Sequence, residues 1–301
     1  LTQHHKNIAA ALQLKLENFV INKLKAAKNK YGYKKLCLSG GVALNCSMNG
    51  KIEQSKIFDE IYIQPASADD GCAIGACYLA NIKNNKEHFI PRPNYNSYLG
   101  SRYSDDEIEK ELKNSNLNYL KSLNIFKDTA EQLSKGRIIG WFQGAAEFGP
   151  RALGNRSILC KPYPLEMKDH LNNQVKFREN FRPFAPAVLS EYQKDFFEIN
   201  QDSFHMLIAS KVNEYKKDVI PAVVHVDRSA RVQTVTKNSN EKFYKLLLEF
   251  NNLTNIPVLL NTSFNVKGQP IVNSPKDAIE TFKKTKIDVL SIGNFLLKKT
   301  Q

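Results

Sequence analysis

Residues 35–50 set a short apolar run, Lys35-Leu-Cys-Leu-Ser39, directly against Gly40-Gly41 and a helix-compatible stretch from Ala43 to Gly50. A strand that passes into a helix across two glycines belongs to α/β layering, in which helices cover a sheet. The alternation continues on both sides. Ile8, Leu12, Leu16, Phe19, Val20 and Leu24 recur at helical spacing and predict an amphipathic helix over residues 6–28. Glu60-Ile-Tyr-Ile-Gln64 reads as a strand closed by Pro65, and the small apolar residues of 71–80 as a helix close against a sheet.

Residues 89–104 hold Pro91 and Pro93 among Asn, Tyr and Ser, the composition of a linker. Ser104-Asp-Asp-Glu107 then opens a helix with a capping box. Strands are expected over 135–142, 258–261 and 288–292, with short apolar runs at 158–160 and 187–189, and Ser274-Pro275 starts a helix with proline in its first turn. The expectation is α/β throughout, in two units: residues 1–95, and residues 96–301 as a mixed, strand-rich unit.

At 301 residues the chain exceeds a single small core. No segment approaches the ~20 apolar residues of a membrane span, and the start lacks the pattern of a signal peptide. The five cysteines (37, 46, 72, 77 and 160) are odd in number and lack CxxC spacing. They read as buried structural thiols in a reducing, cytoplasmic compartment rather than a disulfide or zinc framework. A net charge of +13, from 43 basic and 30 acidic residues, fits either nucleic acid or small polyanionic substrates.

The densest chemistry lies at Glu147-Phe-Gly-Pro-Arg151-Ala-Leu-Gly-Asn-Arg156-Ser157, straight after a strand. Arginine pairs bidentately with phosphate and carbonyl oxygens. In Lys176-Phe-Arg178-Glu-Asn-Phe-Arg182-Pro183 cations alternate with aromatics, so Phe177, Phe181 and Phe184 are expected to face a core and Lys176, Arg178 and Arg182 a cleft. Phosphate binding is the reading favoured here, with an RNA-binding module as the alternative. Other signals stay open. Gly40-Gly41 with Asn45 is a nucleotide turn or a packing turn. His225 and Asp227, expected on one face of a strand that continues to Arg231, orient a substrate or form a structural pair. Asp69-Asp70 before Gly71 holds a metal or, read alone, caps a helix. Asn261-Thr262-Ser263-Phe-Asn265, with Gly268 and Pro270, is a polar turn at a strand end.

These motifs together resemble the NodU-type O-carbamoyltransferases. EFGPRALGNRSI, KFRENFRPFAP, HVD-x-x-AR-x-Q, LNTSFNVKGQPIV and the upstream SGGVALNC match in order along nearly the whole chain. Lys176-x-Arg178 and Thr262-Ser263-x-Asn265 resemble the paired motifs of YrdC-like domains, and residues 1–95 resemble the C-terminal part of the actin-like ATPase domain that precedes it.

The resemblance implies that carbamoyl phosphate and ATP form carbamoyl-adenylate in the YrdC-like unit. A small-molecule or sugar hydroxyl then takes the carbamoyl group in the actin-like domain. Lys176, Arg178 and Arg182 would hold phosphates and carbamoyl oxygen beside Arg151 and Arg156, with Ser157, His225, Arg231, Asn261, Thr262, Ser263 and Asn265 lining the nucleotide site. Gly40, Gly41 and Asn45 would serve the upstream domain. Mg2+ would accompany ATP, and iron is expected only where Asp69 meets two histidines that this chain does not supply. Two further departures are Arg228 and Ser229, which stand where the family pattern has Gly and Thr.

Overall fold

A computed structural model describes residues 2–84, 97–179 and 181–299. Residues 85–96, which include the first half of the expected linker, lie outside the described residues.

The first unit is small. Helix α1 (Gln3–Tyr31) leads to strand β1 (Lys35–Leu38), a 3-10 turn over Gly41–Leu44, helix α2 (Cys46–Gln54), strand β2 (Glu60–Ile63) and helix α3 (Gly71–Asn84). β1 and β2 form a two-stranded parallel sheet. Leu16, Val20, Ile21 and Leu24 of α1 pack against the core, whereas Ile8, Leu12 and Phe19 are exposed. Gly32 ends α1 in the left-handed conformation at φ 70°, which a glycine adopts without a Cβ clash.

The second unit holds helix α4 (Asp105–Asn114), β3 (Leu120–Lys121), α5 (Ile125–Ser134), β4 (Ile139–Phe142), β5 (Arg156–Cys160), α6 (Met167–Leu171) and β6 (Ala185–Leu189). There follow α7 (Gln193–Phe196), β7 (Ile208–Lys211), β8 (Ser229–Val235), α8 (Glu241–Thr254), β9 (Val258–Ser263), α9 (Pro275–Lys284), β10 (Val289–Ile292) and β11 (Phe295–Lys298). Nine strands make one mixed sheet in the order β3-β11-β10-β4-β5-β9-β6-β8-β7. The fold is the mixed α/β class expected, and Ser104 and Ser274 close capping boxes with Glu107 and Asp277.

Central strands bury both faces, so they read as unbroken apolar runs. Leu159, Ala187 and Leu259 meet α5 and α8 through Leu133, Phe243, Leu246 and Phe250. Their neighbours Ile158, Val188 and Leu260 point the other way, into a core that also takes in Ile52, Ile61 and Ile63 of the first unit. Fully burying side chains of this size contributes about 1.5–3 kcal/mol each.

Three local expectations are corrected. Among the five cysteines, all free, Cys160 alone is buried and Cys37, Cys72 and Cys77 are exposed, because β1 and α3 have open faces. Phe177 and Phe181 are exposed and only Phe184 of that trio reaches a core. His225 and Asp227 precede β8 in a turn, closed by bonds from Arg228 N to His225 O and from His225 N to Ser229 O. Arg228 turns the chain at φ 63°.

Candidate functional site

The site gathers where β5, β8 and β9 end. β5 and β9 are antiparallel, with Ser157 opposite Ser263 and Ile158 opposite Thr262, so the arginine motif and the polar turn are adjacent. Ser157 itself is fully buried and its Oγ accepts from Gly154 N at 3.1 Å; it shapes the loop. Asn261 is buried too, and donates to Gln233 Oε1 at 2.9 Å. Thr262 is partly exposed beside it.

Lys176 ends a five-residue π turn, Asn172–Lys176. Phe177, next, sits at φ 47° and ψ 44°, a left-handed conformation that a bulky side chain adopts only when its surroundings impose it. The imposing group is Asn172, whose side chain donates to Arg178 O at 2.6 Å and accepts from Arg178 N at 3.3 Å. The reversal sends Lys176 inward, where its ammonium donates to Ser263 O (2.6 Å), Ser263 Oγ (3.2 Å), Asn265 O (3.0 Å) and Asn265 Oδ1 (2.8 Å). Burial first, and the Arg178 charge second, push its pKa down to about 7. Arg178 stacks on the Phe184 ring, 4.4 Å from the centroid, and donates to Pro183 O.

Arg151, Arg178 and Arg231 converge. Burial lowers the pKa of all three, Arg231 to about 10, and Arg151 and Arg178 lower Arg231 further by charge repulsion. Each has a buried Nε without a hydrogen-bond acceptor, and His225 has a buried Nε2 in the same condition. Among the described residues no carboxylate forms an ion pair with any of the three arginines. Burial, with repulsion from Arg231 and Lys168 and against the attraction of Asp227, pushes His225 down to about 4, so its ring is neutral at neutral pH. Buried cations brought together without counter-charge are unfavourable unless an anion completes the set.

Two expected members stand apart. Arg156 is fully buried and stacks on Phe142 at 3.6 Å; its two terminal nitrogens donate to the carbonyls of Gln143, Asn155, Ser101 and Gly144, while its Nε, like those of the other three arginines, has no acceptor. It braces the loop that carries Arg151. Arg182 lies at the surface in an exposed ion pair with Glu179 at 3.0 Å. Sequence reasoning also passed over Glu147, whose Oε1 accepts from the backbone N–H of Leu153, Asn155 and Arg156 and so sets the shape of that loop. Its place at the head of the arginine motif, five residues after the expected strand 135–142, was the available signal.

The first unit meets this cluster. Cys46, the first residue of α2, lies near Arg151 and Arg231. Gly40 and Gly41 have open space where a Cβ would stand, so a ligand can approach their backbone. Asn45 caps α2 by accepting from Met48 N at 3.0 Å and exchanges hydrogen bonds with Gln13. Asp69 is exposed, and its backbone carbonyl accepts from Cys72 N. Among the described residues no group of three His, Cys, Asp or Glu side chains could hold a metal, so the side chains present do not fit an iron site. Nor is any described helix long and apolar enough to cross a membrane.

Fold and cluster together are those of a mixed α/β protein with a group of partly buried arginines that have no ion-pair partner among the described residues. The chain belongs to the carbamoyltransferase family: the model described as Carbamoyltransferase C-terminus matches residues 130–299, and that described as Carbamoyltransferase N-terminus matches residues 1–78. It is 41% identical to nodulation protein NolO of Bradyrhizobium diazoefficiens over 99% of this chain and 55% of that protein. To nodulation protein NolNO of Sinorhizobium fredii it is 43% identical over 99% of this chain and 45% of that one. Full-length HypF, solved in a phosphate- and nucleotide-bound form, aligns at a TM-score of 0.42 and 15% identity over 80% of this chain and 36% of that one. The chain thus spans about half the length of the curated relatives it matches.

Proposed function

We propose that residues 96–301 form carbamoyl-adenylate from carbamoyl phosphate and ATP, for O-carbamoylation of a hydroxyl acceptor. The observation that carries this reading is the partly buried set Arg151, Arg178 and Arg231, whose buried Nε groups have no acceptor, beside a buried Lys176. Water cleaves carbamoyl phosphate to carbamate and phosphate. A carbamate oxygen then attacks the α-phosphorus of ATP and pyrophosphate leaves. The acceptor oxygen finally attacks the carbamoyl carbon, its proton passes to solvent, and AMP leaves.

In that sequence the arginines offset the repulsion between two polyanions and hold them in line. Lys176, tied to the turn Ser263–Asn265, fixes the opposite wall, and the neutral ring of His225 adds a polar contact. Mg2+ would travel with the nucleotide. Partial burial of the three arginines, with their Nε groups fully covered, favours a small anion over an RNA groove, which needs exposed cations with stacking aromatics. A cytoplasmic, reducing location suits the five free thiols.

The test is mass spectrometry of the products from ATP and carbamoyl phosphate. Carbamoyl-adenylate, or AMP and pyrophosphate that depend on carbamoyl phosphate, is expected from the wild type and not from a Lys176→Ala/Arg178→Ala double variant. Equal turnover by the two proteins overturns the assignment.

A further inference from the structure

Helix α2 runs between the two units with buried polar groups along one side. Asn49 is fully buried, and both hydrogens of its amide are used: one goes to Ala43 O at 2.7 Å, in the turn after Gly40-Gly41, the other to Leu207 O at 2.8 Å, just before β7. Its Oδ1 accepts nothing. Asn49 therefore serves as a double donor that joins a carbonyl of one unit to a carbonyl of the other. Leucine matches its size and supplies neither bond.

The neighbouring residues hold the same junction. At Gly50 a Cβ would lie 2.0 Å from Ala209 O, so the helix touches β7 backbone to backbone. Glu53 Oε1 accepts from Asn200 N at 2.8 Å and Asn200 Nδ2 at 2.9 Å. Gln201 donates to Ile61 O at 2.8 Å and accepts from Ile61 N at 3.1 Å. Buried polar pairs of this kind contribute only when both partners stay in register, so they specify one arrangement more than they add stability. The first residue of the helix, Cys46, lies close to Arg151 and Arg231.

We propose that Asn49 is a positioning residue that fixes the Gly40–Leu44 turn relative to the Arg151/Arg231 cluster, so that the two units present one preassembled site with no hinge between them. Its catalytic meaning rests on the function proposed above; the rigidity itself does not, and is read without substrate.

Hydrogen exchange on the unliganded 301-residue chain tests it. The loss of two buried hydrogen bonds predicts that Asn49→Leu speeds exchange across residues 40–45 at least ~tenfold. Residues 156–160 and 258–263 should be unchanged. Gln201→Ala cuts the same junction away from the turn and should leave 40–45 as in the wild type. Wild-type protection of 40–45 in a folded Asn49→Leu variant, or equal loss in Gln201→Ala, overturns the proposal. If Asn49→Leu does not fold, the wild type in rising urea decides. Residues 40–45 and 207–211 should then open together with a common denaturant slope, and separate openings overturn the proposal. Product assays on the same samples report on the carbamoylation chemistry, so the two ideas fail independently.

Discussion

Lys176 Nζ donates to Asn265 Oδ1 at 2.8 Å, a bond between two turns that lie far apart in sequence and side by side in the fold. It places a buried ammonium, whose pKa has fallen from 10.5 to about 7, beside the charge of Arg178.

A pH dependence follows. Between about pH 7 and 10.5 the unfolded chain binds a proton at Lys176 that the folded chain has released, so stability of the unliganded protein rises with pH across that window and is lowest below it. Urea midpoints measured from pH 6.5 to 10 should climb in the wild type and climb less in Lys176→Met. A bound polyanion restores the proton. Calorimetry at pH 8 in buffers of different ionisation enthalpy should therefore detect proton uptake when ATP binds.

Arg231→Met should separate stability from binding. The wild-type side chain is a buried cation repelled by Arg151 and Arg178, so its removal is expected to raise the melting temperature of the unliganded protein. Affinity for ATP should fall about 10- to 100-fold, the worth of a lost charge-assisted hydrogen bond. A variant that is destabilised and still binds ATP normally would mark Arg231 as structural.

Arg156 should behave in the opposite way. Arg156→Leu strips donors from four carbonyls, three of them in the loop between β4 and β5, and is expected to destabilise the fold by about 3–5 kcal/mol in urea unfolding. A loss below about 1 kcal/mol would mean that water replaces the guanidinium.

Arg228 departs from the family pattern at a position where the backbone stands at φ 63°. Non-glycine residues pay roughly 1 kcal/mol or more there, and the exposed ion pair of Arg228 with Glu214 offsets little. Arg228→Gly should therefore stabilise the protein by about 0.5–1 kcal/mol, visible as a higher urea midpoint with an unchanged slope.

Much of the scaffold was legible because its strands and caps obey local rules. Lys35–Leu38, Glu60–Ile63 and the boxes at Ser104 and Ser274 appear where apolar runs and capping residues put them. Helix α8 was overlooked although Phe243, Leu246, Leu247 and Phe250 recur at helical spacing behind an Asn240 cap. The site was legible in its residue types and less so in its directions. A lysine-aromatic-arginine triplet does not reveal that the middle residue is left-handed, because the turn is imposed by the side chain of Asn172, which lies upstream of the triplet and brackets the Arg178 backbone. Nor does a lone Arg156 announce four carbonyl partners. His225-Val-Asp227 alternates like a strand, yet Arg228 breaks the extension one residue later.

The pairing of Ser157 with Ser263 also bears on how the chain reaches its native state. The walls of the pocket come from segments about a hundred residues apart, and contacts of that separation form late because loop closure must precede them. Until β9 slots between β5 and β6, the arginines have no facing turn and Lys176 has no oxygens to hold. Nucleotide capture should therefore emerge only in the last phase of refolding, as a reporter of sheet closure.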